Sequence, residues 1–362
     1  MRFTVSKSEI AEAAARASKA CAIRSTIPIL EGLMISVENN IVTVTGYDCE
    51  TGIRCIIAAD QGAEDGSIVV NAKLFEASVR KMPKETVEIS TKDKTVILHS
   101  GRATVKLTGS DAKNYPSLSC VSSETTFEIE AASLKKIIQS VIYAVSLVDI
   151  KPALMGVLFR VQDGILTAAA SDGVRLAVFT EPVECSDIDV IIPRKVLGEL
   201  VKMLDEGRVT VQLDKKRVCF VYGDFVMISQ LINGEFIKYE RIINSAETSA
   251  ASVNVPDMCA MLERTCIFSS ADKFKLPVKC VFDDNNLSMT INSALGDTYE
   301  DLPIVYDGDK ISVGFNARYM LDALKNCGSS EAKITFDRSN YMRITAADNA
   351  GYQAVVLPVR TK

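Results

Sequence analysis

The sequence predicts an α+β chain made of three tandem copies of one domain, and three observations carry that prediction. A strand-helix-hairpin unit runs through residues 188–225 as IDVIIPRKVLGELVKMLDEGRVTVQLDKKRVCFVYGDF. The same plan occurs upstream as IVVNAKLFEASVRKM then TVEISTKDKTVILHSG, and downstream as ISVGFNARYMLDALKNC then AKITFDRSNYMRITAAD. The strand-to-helix junctions Asn71, Pro193 and Asn316 lie 122 and 123 residues apart. A second hairpin, with a turn rich in Asn, Asp or Gly, also occurs three times, and taking Asn40, Gly164 and Asn286 as equivalent gives spacings of 124 and 122. The period is far longer than the roughly 20–50 residues of a solenoid repeat and matches a whole small domain. A length of 362 residues with 48% hydrophobic content accommodates three such domains.

In the first copy, strand Phe3-Thr4-Val5 precedes a helix capped by Ser6 or Ser8, with Ile10, Ala13, Ala14 and Ala17 on its buried face. Ile27-Pro28 rules out a continuous helix through 25–30. The acidic, glycine-bearing loop 60–66 leads into the first strand-helix-hairpin unit, and Val105 and Leu107 close the domain on a strand. The small polar stretch SCVSSETT, 119–126, reads as a linker. A strand at Phe127-Glu128-Ile129 then opens the second copy, whose helix is expected from about 132 to 145 with Leu134, Ile137, Ile138, Val141 and Ile142 inward. NSAETSAAS, 244–252, reads as the second linker. Pro256 starts a helix carrying Met258, Met261, Leu262, Cys266 and Ile267, and the third copy ends on AVVLPV, a strand interrupted by Pro358. Domain bounds of 1–120, 126–247 and 252–362 follow.

The chemistry of the chain excludes more than it offers. Ten cysteines contain no C-x-x-C pair and sit mostly in apolar surroundings, so they read as core residues and no metal site is expected. His99 is the only histidine and lies at a strand end, where a solvent-facing role is favoured over a catalytic one. No phosphate-cradling or dinucleotide glycine motif and no H-E-x-x-H is found, so no cofactor is expected. The opening stretch MRFTVSKSEIAEAA lacks the apolar centre of a signal peptide, and a cytoplasmic location is the expectation. Charge is unevenly spread. The expected helices at 7–19, 73–84, 132–145, 194–206, 256–269 and 317–327 hold a net +6 in a chain of −5, which leaves −11 for strands and loops. Exposed helix faces favouring lysine explain this blandly; a helical surface that meets phosphate explains it more sharply.

One segment, ASDGVRLAVF at 170–179, puts a turn, an arginine and apolar residues directly after a hairpin. SDGVRLAVF resembles the T-D-G-H-R-L-A segment of the bacterial DNA polymerase III beta subunit family, the processivity sliding clamps. TIPILEGLMISV, YDCETGIRC, IIPRKVLGEL, QLINGEFIKYERII and the terminal VVLPVR look like the same family in the same order, so the resemblance covers essentially the whole chain. It implies three DNA-clamp domains per protomer, helices lining a channel with sheets outside, and a head-to-tail homodimer closing a ring around double-stranded DNA. Such a clamp is not an enzyme; it tethers the replicative DNA polymerase subunit, is placed by a clamp loader, and binds other proteins that carry a clamp-binding motif.

By that resemblance, the DNA-facing candidates are Arg24, Lys73, Arg80, Lys151, Arg194 and Lys195. The partner-peptide pocket would have one wall of Leu154, Ser171, Gly173, Val174, Arg175 and Leu176, a second of Ile237, Arg241 and Ile242, and a third of Val355, Val356, Leu357, Pro358, Val359 and Arg360. Its apolar anchors are expected among Leu154, Leu176, Ile242, Val356 and Leu357, with Arg175 meeting the polar groups of the peptide. At the dimer interface Val105 and Leu107 would face Ile267 and Phe268 of the partner. Departures from the family are Val148 where a polar residue is frequent, Val174 for a histidine, Ile237 for a proline, and Leu357 and Val359 for methionines. An enzyme with Asp172 as nucleophile would turn over without DNA, and a purely structural self-assembling protein would form rings that ignore circular DNA; neither accounts for the motifs in order, and the alternative function is a self-assembling DNA-binding scaffold not acting in replication.

Overall fold

The computed structural model describes residues 1–118, 121–148, 151–271, 276–293 and 296–360. Cys120 and the expected domain ends at 119–120 and 361–362 lie outside them.

The first copy runs β1 (Arg2–Ser6), α1 (Lys7–Ser18), β2 (Gly32–Glu38), β3 (Ile41–Tyr47), β4 (Thr51–Ala58), β5 (Gly66–Asn71), α2 (Ala72–Arg80), β6 (Thr86–Lys92), β7 (Thr95–Ser100) and β8 (Ala103–Ser110). The second runs β9 (Thr125–Glu130), α3 (Ala131–Val141), β10 (Gly156–Gln162), β11 (Ile165–Ser171), β12 (Arg175–Pro182), β13 (Ile188–Pro193), α4 (Arg194–Met203), β14 (Arg208–Leu213), β15 (Arg217–Tyr222) and β16 (Phe225–Gln230). A short helix α5 (Glu240–Ile243) leads to the third: β17 (Ser249–Asn254), α6 (Val255–Ala271), β18 (Val278–Asp283), β19 (Asn286–Ser293), β20 (Gly296–Pro303), β21 (Val305–Asp307), β22 (Ile311–Phe315), α7 (Ala317–Lys325), β23 (Glu331–Phe336), β24 (Met342–Ala346) and β25 (Tyr352–Val356). Among the described residues one order of strands and long helices recurs three times, with β21 added in the third copy.

Local chemistry explains why the repeats begin and end where they do. Asn71 and Asn316 cap α2 and α7: Asn71 Oδ1 accepts from the Leu74 amide at 3.1 Å, and Asn316 Oδ1 from the Arg318 amide at 3.0 Å. Pro193 holds the same place before α4 and brings a fixed φ instead of an acceptor. Each second hairpin turns through two residues with positive φ, Asn39-Asn40, Asp163-Gly164 and Asp284-Asn285, the backbone that matches strand twist. The third turn therefore ends at Asn285, one residue before the expected Asn286, which is the first residue of β19.

Other expectations shift as well. Helix α3 stops at Val141, whose φ of −125° breaks the spiral, and Ile142–Ala144 continue as a 3-10 turn with Ile142 only half-buried. The second linker is shorter than expected, because Ser249 to Ser252 pair with Phe336 to Lys333 as part of β17. Ser6 is the N-cap of α1 but makes no capping bond; its Oγ lies 2.7 Å from Ser8 Oγ. The inward face of α1 is Ile10, Ala13, Ala14 and Ala17 as read from spacing.

Each copy builds two four-stranded halves, and the halves of neighbouring copies join. The sheet β1-β6-β7-β8-β5-β2-β3-β4-β16-β15-β14-β9 takes in the first copy and one half of the second. The sheet β13-β10-β11-β12-β25-β24-β23-β17-β21 takes in the other half of the second copy and one half of the third, while β20-β19-β18-β22 stands as the remaining half. The described residues accordingly gather into two compact units, Met1–Ala132 with Glu199–Leu231, and Ser133–Gly198 with Ile232–Lys362. The second copy is shared between them.

Nine cysteines are described, and no two of them form a disulfide with each other. Burial pushes the Cys21 and Cys55 thiols up to about 12. No group of metal-ligating residues is found among the described residues, and no described helix is long and apolar enough to cross a membrane.

In the first unit α1 approaches β3 so closely that a Cβ on Gly46 would lie 2.0 Å from the Ala17 carbonyl oxygen. Gly46→Ala forces backbone apart rather than a flexible side chain, so it should cost about 1–3 kcal/mol and lower the urea midpoint. An unchanged midpoint would mean that the helix and sheet can separate there freely.

Candidate functional site

An apolar cluster forms where β12 of the second copy pairs with β25 of the third. The register sets Leu176 opposite Val355 and Arg175 opposite Val356. Side chains alternate across a sheet, so the two pairs serve opposite faces. On the first face Leu154, Leu158, Ala169, Leu176, Val178, Ile191, Phe236, Tyr239 and Val355 form a buried cluster. Ile237, Ile242, Tyr341 and Leu357 pack on it and stay only partly buried, so a buried floor and a partly open rim form one apolar surface, the trough. Phe236 and Tyr239 meet edge to face at 6.2 Å. Burial, with Glu240 adding to it, pushes the Tyr239 hydroxyl up.

The turn between β11 and β12 is fastened from within. Ser171 Oγ donates to the Arg175 carbonyl at 2.7 Å and accepts from the Gly173 amide at 3.1 Å. Asp172 Oδ1 accepts from the amides of Val174 and Arg175. Gly173, at φ 92°, takes a conformation that disfavours side chains, and Val174 stands out at the tip, 46% exposed. The tail is tied back to this turn by the Leu357 amide, which donates to the Val174 carbonyl at 3.0 Å.

Arg175 and Val356 are not in the trough, a correction to the expectation that they line it. Arg175 lies on the opposite face, 11% exposed, where Nε donates to Asp172 Oδ2 at 2.9 Å and Nη1 to Asp322 Oδ2 of α7 at 2.8 Å. Its guanidinium stands 4.3 Å from the ring centre of Tyr319 and 5.6 Å from that of Tyr143. Tyr143 and Tyr352 share a 2.8 Å hydroxyl contact beside it, and Tyr352 donates to the Ala323 carbonyl. Arg175 thus binds the turn to α7, and Val356 is buried at 1% on that same side. Of the remaining pocket candidates, Leu154, Leu176 and Val355 are floor, Ile237, Ile242 and Leu357 are rim, Arg241, Val359 and Arg360 are exposed, and Pro358 is half-buried. Phe236, Tyr239 and Tyr341 escaped the sequence reading; Phe236 and Tyr239 flank Ile237 in a stretch already singled out, and aromatic content was the signal.

The six basic candidates are all exposed. Arg24, Lys73 and Arg80 belong to the first unit, and Lys151, Arg194 and Lys195 to the second. Arg80 pairs with Glu76 at 2.6 Å. Lys73 and Lys195 are each the second residue of their helix, and the equivalent in α7 is Arg318, 123 residues beyond Lys195 and 66% exposed. Sequence reading missed Arg318, although the repeat points straight to it. None of α2, α4 and α7 has an acid in its first turn. A cation at a helix N-terminus works against the helix dipole, so its recurrence in three copies is a cost that helix stability alone does not explain.

At the expected interface, Val105 and Leu107 are half-buried opposite Leu98 and Val96. Ile267 is 66% exposed on α6, and Phe268 lies against Gly296.

Family models for the N-terminal, central and C-terminal domains of the DNA polymerase III beta subunit match residues 1–119, 128–238 and 240–360. The chain belongs to the DNA polymerase III beta subunit family. It is 30% identical over 353 residues to the beta sliding clamp of Halalkalibacterium halodurans, covering 93% of each chain, and 29% identical to that of Bacillus subtilis over the full length of both. The crystal structure of the DNA polymerase sliding clamp from Bacillus subtilis superposes with a TM-score of 0.94 at 28% identity, covering 100% of both chains. As in this beta subunit family, the chain carries three tandem clamp domains.

Asp322 joins Arg175 to the exposed Arg318, which reaches its Oδ1 at 3.0 Å. Asp322→Asn should destabilise the second unit by about 1–3 kcal/mol, read as a lowered thermal midpoint, because a nearly buried guanidinium loses a charged partner. An unchanged midpoint would show that Asp172 alone holds Arg175.

Proposed function

We propose that two copies of this chain close head to tail into a sliding clamp around double-stranded DNA. The observation that carries the reading is an unfilled junction. The last strand of a half-sheet pairs with the last strand of the next copy twice: β4 with β16, and β12 with β25. The third such strand, β20, has no outer neighbour among the described residues, and β8 of the first copy meets β5 only at Gly109 and Ser110, leaving 103–108 open on that side. Open edges invite pairing. One β20 and one β8 per chain, joined between two protomers, fill both gaps and close a ring through two equivalent heterologous contacts.

The repeat also supplies the register. The hairpin pairs Tyr222↔Phe225 and Ser100↔Ala103 make Ala103 the equivalent of Phe225, and hence Lys106 the equivalent of Ile228. Ile228 pairs with Gly52, whose counterpart in β20, counted from the turns at Asn40 and Asn285, is Asp297. Lys106 then stands opposite Asp297 and Arg102 opposite Asp301, a basic edge against an acidic one. All four are exposed in the protomer. On the core face Leu107 comes to Gly296 and therefore beside Phe268, which supports Val105, Leu107, Ile267 and Phe268 as the apolar part of the contact.

Enclosure makes base-specific contacts unnecessary. First-turn cations such as Lys73, Lys195 and Arg318, with Arg24, Arg80, Lys151 and Arg194, meet phosphates weakly enough to slide. The trough takes an extended peptide with large apolar anchors from the replicative polymerase, and the clamp loader and other clamp-binding proteins compete for it. The clamp itself is non-catalytic and cytoplasmic, with domains at 1–120, 126–247 and 252–362.

Reversing Lys106 and Arg102 to Glu converts four favourable cross-strand pairs per ring into like-charge pairs, costing on the order of 2–4 kcal/mol of dimer stability. Sedimentation should find monomers, and the cognate polymerase with its loader should make short products on a primed circle. Adding Asp297→Lys and Asp301→Lys to the same chain should restore both. Dimers that ignore the reversal would overturn the β8–β20 contact.

A further inference from the structure

The second wall of the trough stands on α5, a helix of only four residues, Glu240–Ile243. So short a helix is not stable by itself, and its N-cap Tyr239 makes no side-chain capping bond, while its C-cap Asn244 closes it only with a backbone amide to the Glu240 carbonyl at 3.1 Å among the described residues. Two arginines hold it from outside. Arg160 of β10 reaches Glu240 at its start, Nη1 to Oε1 at 3.0 Å, and is itself steadied by Asp189 at 2.8 Å. Arg343 of β24 closes the other end: Nη2 donates to the Ser245 carbonyl at 2.9 Å, to Ser245 Oγ at 2.8 Å and, at 3.4 Å, to the Ile242 carbonyl. The Ile242 carbonyl is one that the helix leaves free of an intrahelical partner at its C-terminus, and Ser245 Oγ also donates to it at 3.1 Å, so Arg343 and Ser245 together close that end, where a cation is favoured by the dipole.

Arg343 is opposite Val355 in the ladder, so it grows from the same face of the sheet as the trough floor. Its side chain is 12% exposed, and its Nε is buried without a hydrogen-bond partner among the described residues. Glu247 is the only carboxylate paired with it among the described residues, at 3.5 Å, and Glu247 is drawn more closely to Lys333, at 2.9 Å. A guanidinium nearly out of water, spent on backbone carbonyls rather than on a close carboxylate, is placed for geometry. We infer that Arg343 is a positioning residue for peptide binding: it presets α5, and with it Ile242, so that the trough exists before the partner arrives. Preformed walls raise affinity by removing the ordering cost from the binding step.

This inference rests on the reading of the trough as the partner-peptide site. The test uses the full-length dimer and a short fluorescent peptide from the replicative polymerase that contains two neighbouring large apolar residues. Arg343→Met should weaken binding about tenfold, with sedimentation of the dimer unchanged. Arg343→Lys, which keeps charge but not the planar fork, should fall between. The deciding measurement is the cycle with Ile242→Ala: a substitution that costs affinity in the parent chain should cost much less once Arg343 is Met, because an unplaced wall has little left to lose. Amide hydrogen exchange of 240–245 in the free protein should quicken in the Met variant. Additive losses in the cycle, or unchanged exchange at α5, would overturn the positioning role. A parent chain that binds no peptide would overturn the trough reading itself and this inference with it, while normal exchange data would still separate the two failures.

Discussion

Antiparallel pairing between the last strands of successive copies is the constraint on which the molecule depends. Phe225 to Ser229 pair with Cys55 to Thr51, and Arg175 to Phe179 with Val356 to Tyr352, so five consecutive positions are tied at each junction. Backbone amides and carbonyls in such a ladder must find partners, and a neighbour copy supplies them as well as a strand of the same copy would. The consequence is a chain whose domains by sequence differ from its units by contact: the central copy gives one half-sheet to each side. The same constraint leaves β20 without an outer neighbour and β8 paired to β5 only at Gly109 and Ser110 among the described residues, which is the basis of the proposed head-to-tail contact.

The trough is a product of the second junction. Leu176 comes from β12 and Val355 from β25, and only their pairing makes one floor of them. The opposite face of the same two strands is bound to α7 by Arg175 and Tyr352, so floor and helix are held by alternate residues of one ladder. Arg175 therefore contributes to the trough by fixing its turn and not by lining it. Ion pairs of this kind do little when exposed, but here the guanidinium is mostly covered by two tyrosine rings and bonded to two carboxylates.

Much of this was legible in the residues alone. Asn71, Pro193 and Asn316 announce helix starts because capping is local chemistry, and Asn39-Asn40 or Asp163-Gly164 announce hairpins because few residues accept positive φ. The inward face of α1 followed from spacing. What failed depended on pairing between distant strands. Val356 was assigned to the trough although only the register with β12 decides which face it takes, and a slip of one residue reverses that face. Ser249 to Ser252 looked like linker because small polar residues have little strand preference, yet pairing with β23 overrides it. Arg343 could not be joined to α5 from sequence, since about a hundred residues separate them and nothing local marks the contact. Arg318 was within reach, and the repeat would have found it had the helix starts been compared residue by residue.

Topological enclosure of DNA is tested most directly by retention. The full-length dimer, loaded by the cognate clamp loader on nicked circular DNA and passed through a sizing column at high salt, should travel with the circle and be released when a single cut makes the DNA linear. Phosphate contacts alone would be lost in that salt on either form. Equal retention on circles and linear fragments, or loss from both, would contradict a closed ring around the duplex.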